Sequence, residues 1–138
     1  MSLATVAAVV TALLFGGMTF YALVMVPLIF AKLPEGTRDE FLRAVFPVYY
    51  LVMAAVAVLA AVLTYPGQPT DGGLLMLVAF GFIAARQILM PRINDVRAGK
   101  AAGDPAATRT FDNLHRLSVY LNAAQLGLVL WVFTKMVK

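Results

Sequence analysis

The chain contains no cysteine and few charged residues, and both absences narrow what it can be. None of its 138 residues is cysteine, which excludes disulfides, thiolate metal sites and CxxC redox chemistry. Only 13% of the residues are charged, whereas 62% are hydrophobic, and the mean hydropathy is +0.85. A soluble domain of this length covers its surface with charged side chains. The charge is too sparse for that here, so the sequence predicts that lipid covers most of the surface.

Motifs of catalysis are also missing. The sequence has no phosphate loop, no nucleophile elbow, no HExxH and no carboxylate pair. Its acidic residues fall between the apolar runs or, for Asp112, at the very start of the fourth, which argues against a carboxylate proton relay across a membrane. The sequence therefore discloses no reaction and favours a protein that is not an enzyme.

Four long apolar runs account for most of the chain, at residues 3–33, 44–63, 74–91 and 110–137. A helix needs about 20 residues to cross the hydrocarbon core of a bilayer, so four spans and their connections use up the sequence. The prediction is a single all-α domain over residues 1–138, an integral membrane antiparallel four-helix bundle. The first run is too long and too aromatic for a cleaved signal peptide, so it is predicted to be a retained span.

Two helices are predicted to extend beyond their membrane parts. Thr37 followed by Glu40 resembles a capping box, so the second helix is predicted to begin there, amphipathic at first. The third is predicted to continue, kinked at Pro91, as far as Ala98. The fourth is predicted to begin near Thr110.

The basic residues predict an orientation. The net charge is +4 and the pI about 9.7, but these residues flank apolar runs, so we expect the lipid bilayer and not nucleic acid to be their partner. Eight of them lie beside the connections after spans one and three, at Lys32, Arg38, Arg43, Arg92, Arg97, Lys100, Arg109 and Arg116, against Lys135 and Lys138 at the opposite face. The positive-inside rule then places those connections in the cytoplasm and both termini outside.

Arg86 is the charged residue that lies within a span. An arginine at mid-span costs roughly 2.5–3.5 kcal/mol on insertion scales, so it should face the bundle interior or water and have a partner. The alternative is that Arg86 reaches the cytoplasmic interface, about one and a half helical turns away. The first interpretation predicts a buried polar site.

The fourth span supplies candidate partners for Arg86. His115, Ser118, Asn122 and Gln125 are spaced by three, four and three residues, so they form one stripe along a helix. A polar stripe on an apolar helix is expected to face the other helices, either as a ligand site together with Arg86 or as interhelical hydrogen bonds that only hold the bundle together.

Single residue types add further alternatives. His115 is the only histidine, which disfavours a mononuclear zinc site; it would be the metal ligand only if haem or another metal is bound, alone or paired across a dimer, and no cofactor is the simpler expectation. Tyr21, Tyr49 and Tyr50 are interpreted as an aromatic belt, with a place inside the bundle as the alternative. Ala54, Ala57 and Ala61 form a small-residue stripe, a candidate contact for a homodimer or higher homo-oligomer.

Several segments resemble a known family. They are Gly17-Met-Thr-Phe-Tyr and Pro27-Leu-Ile-Phe in the first span, Phe46-Pro-Val-Tyr-Tyr in the second, Ile88-Leu-Met-Pro-Arg-Ile-Asn in the third and Phe111-Asp-Asn-Leu-His-Arg-Leu-Ser-Val-Tyr-Leu-Asn in the fourth. Together they resemble the bacterial proteins similar to eukaryotic transmembrane protein 205, which form domain of unknown function family 4149. The resemblance implies a four-helix protein of a bacterial inner membrane without settled biochemistry, and only loosely implies traffic or metal handling.

A more distant resemblance is to the copper-resistance D proteins and the haem-containing membrane protoporphyrinogen oxidases, through the Gly-Gly, Phe and Pro layout of the first span. Those oxidases carry a histidine in the first span and a lysine in the third, whereas this chain has no histidine in the first and has Arg86 in the third. The departure weakens any transfer of haem chemistry.

The sequence thus predicts a membrane protein that binds, or helps to move, a small molecule or ion through a polar site in the bundle. Arg86 would attract an anionic or dipolar group, and His115, Ser118, Asn122 and Gln125 would orient it. A membrane redox protein that binds haem or metal through His115 is one alternative, and a structural or assembly subunit of a larger complex is another.

Overall fold

Four long helices make up almost the whole molecule. The computed structural model describes all 138 residues, with α1 at Leu3–Lys32, α2 at Glu35–Thr64, α3 at Pro69–Ala101 and α4 at Pro105–Met136. All four are long and apolar enough to cross a membrane. The predicted all-α, antiparallel four-helix membrane bundle is therefore confirmed. Each helix, at 30–33 residues, is longer than the roughly 20 residues that the hydrocarbon core requires, so its ends extend beyond the core.

Two helices, α2 and α4, begin earlier than predicted. α2 starts at Glu35, directly after Pro34, so the prediction that Thr37 caps it is wrong. α4 starts at Pro105 and not near Thr110; the side chain of Asp104 accepts the Ala106 N–H at 3.1 Å. An acidic N-cap followed by proline is a strong helix start. Gly103, at φ +84°, makes the sharp turn between α3 and α4 that a side chain would strain.

The helices form a closed ring in one half of the bundle. α2 packs on α1 and α3, and α4 packs on α3 and α1. We call residues 3–18, 54–64, 69–84 and 125–136 the closed half. Of the 24 buried residues in the chain, 18 lie there. The other six lie within residues 19–53 and 85–124, which we call the wide half. The end of the wide half that carries the connections 33–34 and 102–104 is the loop end.

Small residues bring the helices of the closed half together. Ala54, Ala57 and Ala61 are buried inside the bundle, so the stripe that we considered for a dimer contact is already used within one chain, and that assignment is wrong. Gly17 allows α1 and α2 to approach closely, since a Cβ there would lie 3.1 Å from Met53 Cε. Gly81 is a tight contact between α3 and α4: its Cβ would lie 2.6 Å from Gln125 Nε2.

A π-helical turn marks the start of the wide half in both α1 and α3. The turns cover Tyr21–Met25 and Ala85–Leu89, and each is followed, one residue later, by a proline at Pro27 or Pro91. Proline donates no backbone N–H, and its ring clashes with the carbonyl four residues earlier. The wider i to i+5 turn relieves that crowding without breaking the helix. The helices form two hairpins, α1–α2 and α3–α4. The first helix of each hairpin therefore carries a π turn followed by a proline at a corresponding place.

Beyond these turns the two helical hairpins separate toward the loop end. The backbone of Val26–Lys32 in α1 packs closely on α2, whereas the backbone of Met90–Ala101 in α3 packs closely on α4. Two polar contacts join the hairpins here: Arg86 Nε donates to the Pro47 carbonyl, and Arg97 pairs with Asp39. The wide half is thus a cleft between two hairpins that the closed half holds together.

Candidate binding site in the wide half

Arg86 lies in the π turn of α3 and reaches across the cleft. Its Nε donates to the Pro47 carbonyl of α2 at 3.1 Å, and its Nη1 donates to Gln87 Oε1 at 3.3 Å. No carboxylate pairs with it. The residue is half-buried, which places a cation beside apolar helices with only neutral partners. Such an arrangement leaves its positive charge uncompensated and available to an anionic or dipolar group.

Five aromatic side chains fill the inner part of the cleft next to Arg86, and we call them the aromatic cluster: Tyr21, Phe46, Tyr49, Tyr50 and Phe82. The rings of Tyr21 and Tyr49 stack with centroids 4.1 Å apart, and Phe82, four residues before Arg86, meets Tyr49 at 6.1 Å. The interpretation of these tyrosines as an aromatic belt is therefore wrong. They lie inside the bundle, where their rings pack against one another and against Phe82.

Hydroxyl groups of this region have no hydrogen-bond partner. The buried oxygens of Thr19, Tyr21 and Tyr49 are all unpaired. An unpaired buried polar group costs stability, and the cost is not relieved by lipid, which offers no hydrogen bonds. Tyr49 is 9% exposed, so bulk water does not solvate it. Unpaired buried groups in native structures commonly meet an ordered water, an ion or a ligand.

The polar stripe of α4 does not converge on Arg86. Gln125 is buried and donates from Nε2 to the Val78 carbonyl of α3 at 2.9 Å, a contact of the closed half. Asn122 is half-buried and makes no hydrogen bond, and Ser118 donates to the His115 carbonyl of its own helix at 2.7 Å. No hydrogen bond joins any of the four residues to Arg86, whose contacts lie on the other side, on α2.

His115 is exposed on the surface of α4, contrary to the expectation that the whole stripe faces the other helices. Its ring stacks on Phe111, one turn earlier, with centroids 6.3 Å apart and planes 5° from parallel. Because His115 is exposed, its ring nitrogens do not lie among the buried residues of the bundle. No group of three or more His, Cys, Asp or Glu side chains is placed to hold a metal ion.

The loop end of the cleft is polar and charged. A cavity of about 530 Å³ opens there between α2 and α3, with Asp39, Arg43 and Arg97 among its lining residues. Arg97 Nη1 lies 3.3 Å from Asp39 Oδ1, and its guanidinium lies 5.5 Å from the Phe111 ring of α4. The buried Arg97 Nε and Asn94 Oδ1 remain unpaired. The cleft therefore carries polar groups from its mouth to the aromatic cluster.

Sequence reasoning missed an ion pair at the opposite end of the molecule. Asp71 lies in the first turn of α3, where its carboxylate is buried and bonds to Lys135 of α4. The Lys135 ammonium also lies 5.4 Å from the Trp131 ring. Pro69, two residues before Asp71, was the available sign that a helix begins there. Lys135 therefore links α4 to α3.

The fold and this polar cleft define a class: an integral membrane protein built as a four-helix bundle that is closed in one half and open in the other. The chain belongs to the family described as domain of unknown function (DUF4149), whose model matches residues 9–102. The matched residues cover most of α1 and all of α2 and α3, so Arg86 and the aromatic cluster fall within them. No curated protein and no solved structure matches the chain.

Proposed function

We propose that the protein binds a small anionic or dipolar molecule in the wide half and helps it to move into or across the membrane. The observation that carries the proposal is the state of Arg86: a cation within an apolar span that contacts a backbone carbonyl and an amide but no carboxylate. The unpaired hydroxyls of Tyr21 and Tyr49 support it, because they add unused hydrogen-bonding capacity inside the same half of the bundle.

Arg86 is the member of the predicted site that this proposal retains in its predicted role. Asn122 is half-buried and free of hydrogen bonds, so it stays a candidate contact for the ligand. Gln125 has a structural role through its hydrogen bond to the Val78 carbonyl. His115 is exposed, and neither it nor Ser118 contacts the ligand in this proposal. Tyr21 and Tyr49 take over the orienting role that the sequence assigned to the stripe.

Native mass spectrometry of protein released from its own host membrane in mild detergent tests the binding. We expect a retained mass on the wild-type chain that is lost in Arg86→Leu, because an anion in an apolar bundle depends on a charged donor. Arg92→Leu is the matched control, since it removes one arginine from an exposed place on the same helix. A bare chain in the wild type, or equal retention in all three, contradicts the proposal.

The orientation is part of the same proposal: the loop end faces the cytoplasm of a bacterial inner membrane and both termini face outside. Because the chain has no cysteine, a single introduced cysteine reports accessibility without background. In intact cells a membrane-impermeant maleimide should label Gln68→Cys, whereas Ala102→Cys should react only after permeabilisation. The two variants serve as controls for each other, and the reverse pattern would invert the topology.

A further inference from the structure

We infer that the molecule held in the wide half is an amphiphile, an anionic headgroup on an alkyl chain, which enters sideways from the bilayer between α1 and α4. The inference rests on the proposed function, because the headgroup takes the place beside Arg86 that the small molecule was given. It adds the class of ligand and the route by which the ligand arrives.

The route is the open side of the cleft. Leu3–Phe20 of α1 pack closely on α4, whereas Tyr21–Met25 and Val26–Lys32 of the same helix pack on it much less. α4 has no buried residue before Gln125. Apolar side chains of both helices are exposed along this stretch, namely Leu23, Val24 and Leu28 on α1 and Leu117, Val119 and Tyr120 on α4. An alkyl chain can stay in contact with lipid along these residues while its headgroup lies inside.

The other side of the cleft is less open to such an entrant. The Asp39–Arg97 pair bridges α2 and α3 near the loop end at 3.3 Å, and deeper in the bundle Arg86 bridges the same helices through Pro47 at 3.1 Å. No hydrogen bond or ion pair joins α1 to α4 anywhere in the wide half. Entry between α1 and α4 therefore breaks no polar contact.

The charges of the opening fit an anionic headgroup. Lys32 ends α1 at the loop end, and Arg109 and Arg116 lie on the first turns of α4; all three are exposed and none pairs with a carboxylate. Basic groups at this depth attract anionic lipid headgroups. Further in, Arg86 offers a guanidinium, whose planar fork suits carboxylate and phosphate oxygens. The headgroup's several acceptor oxygens can also satisfy the hydroxyls of Tyr21 and Tyr49.

Photoaffinity labelling in phosphatidylcholine nanodiscs tests this inference on the whole chain. The probe is an alkyl phosphate with a diazirine in its chain, and the competitors are dodecyl phosphate, inorganic phosphate and dodecyltrimethylammonium. We expect labelled peptides to come from residues 21–32 and 105–120, and only dodecyl phosphate to displace the probe. Arg86→Leu should lower displaceable labelling roughly tenfold, the loss expected for one charged hydrogen bond, while Arg92→Leu should leave it unchanged.

The outcomes separate the two proposals. Displacement by inorganic phosphate as effective as that by dodecyl phosphate overturns the amphiphile and leaves the binding of a small anion standing. Equal labelling of the exposed faces of all four helices means only surrounding lipid and overturns the inference, as does an opening found occupied by a second copy of the chain. Labelling that is displaceable but indifferent to Arg86 overturns both proposals. If Arg86→Leu does not fold, the pattern of competition on the wild-type chain decides.

Discussion

The closed and wide halves of the bundle treat their buried polar groups in opposite ways. In the closed half every buried polar side chain has a partner: Thr11 donates to the Ala7 carbonyl, Thr64 to the Ala60 carbonyl and Gln125 to the Val78 carbonyl, and Asp71 pairs with Lys135. In the wide half lie all of the buried side-chain atoms that have no partner, on Thr19, Tyr21, Arg38, Tyr49, Asn94 and Arg97.

This difference shows how one small chain divides two tasks. Lipid gives no hydrophobic driving force between helices, so a membrane bundle is held by close packing and interhelical polar bonds. The closed half has both, in its alanines, Gly81 and the Asp71–Lys135 pair. The wide half has less close packing and fewer interhelical polar bonds. It can remain open because the closed half stabilises the bundle. Three substitutions test this division, in decreasing order of expected effect.

Lys135→Met is expected to have the largest effect, because it leaves a buried carboxylate without its cation. The Asp71 side chain is only 6% exposed, and removing one member of a buried pair costs about 3 kcal/mol or more. Equilibrium unfolding in mixed micelles of dodecyl maltoside and SDS should show this loss. Lys138→Met, exposed at the same end, is the control. The double variant Asp71→Asn/Lys135→Met should recover most of the loss; no recovery would mean that Lys135 acts through packing on Trp131.

Gly81→Ala is expected to have the next largest effect, because it separates α3 from α4 where Gly81 meets Gln125. The new Cβ would lie 2.6 Å from Gln125 Nε2 and 3.2 Å from its Cδ, so the amide must leave the Val78 carbonyl. Losing a buried hydrogen bond costs about 1–2 kcal/mol, measured by the same unfolding assay. Gly73→Ala, on the same helix with nothing within 4 Å, should be silent. If the clash is the cause, Gln125→Ala should remove most of the effect of Gly81→Ala.

The fold was largely predictable because its cause is compositional. Runs of about 20 apolar residues leave few structures besides helices in a bilayer, so the class and the number of helices followed directly. Helix ends were less predictable, since they depend on local capping: Asp104-Pro105 was an available sign for α4, whereas Pro34 gives α2 no side-chain cap. The π turns before Pro27 and Pro91 were not foreseen beyond a kink.

The site was predictable only in part. A sequence indicates the free-energy cost of a polar group within a span, but not which helix that group faces. The cost of Arg86 in a span singled it out, yet its partner is a backbone carbonyl of α2, which carries no sequence signature. The spacing of His115 and Gln125 placed them on one stripe of α4, but only the Gln125 end meets α3. The stripe diverges because α4 leaves α1 in the wide half. Tyr21 and Tyr49 were ambiguous, since tyrosine suits both an interface and a core.

Tyr49→Phe is expected to have the smallest effect, and its sign distinguishes the halves. In the ligand-free protein it removes a buried hydroxyl that has no partner, so the free energy of unfolding should stay level or rise by up to about 1 kcal/mol. Thr11→Val is the matched change in the closed half. It removes a hydroxyl that donates to the Ala7 carbonyl at 2.8 Å and should lower stability by about 0.6 kcal/mol, the average for hydrogen bonds inside a membrane bundle.

The same pair of variants separates a ligand-binding hydroxyl from a structural one. If the Tyr49 hydroxyl binds a ligand, Tyr49→Phe weakens retention of that ligand while the ligand-free protein becomes no less stable. Thr11→Val instead lowers the stability of the ligand-free protein and leaves retention of the ligand unchanged. A loss of stability in empty Tyr49→Phe comparable to that of Thr11→Val would mean that the hydroxyl already has a partner within the bundle. The contrast between a closed half that provides stability and a wide half that provides binding would then fail at Tyr49.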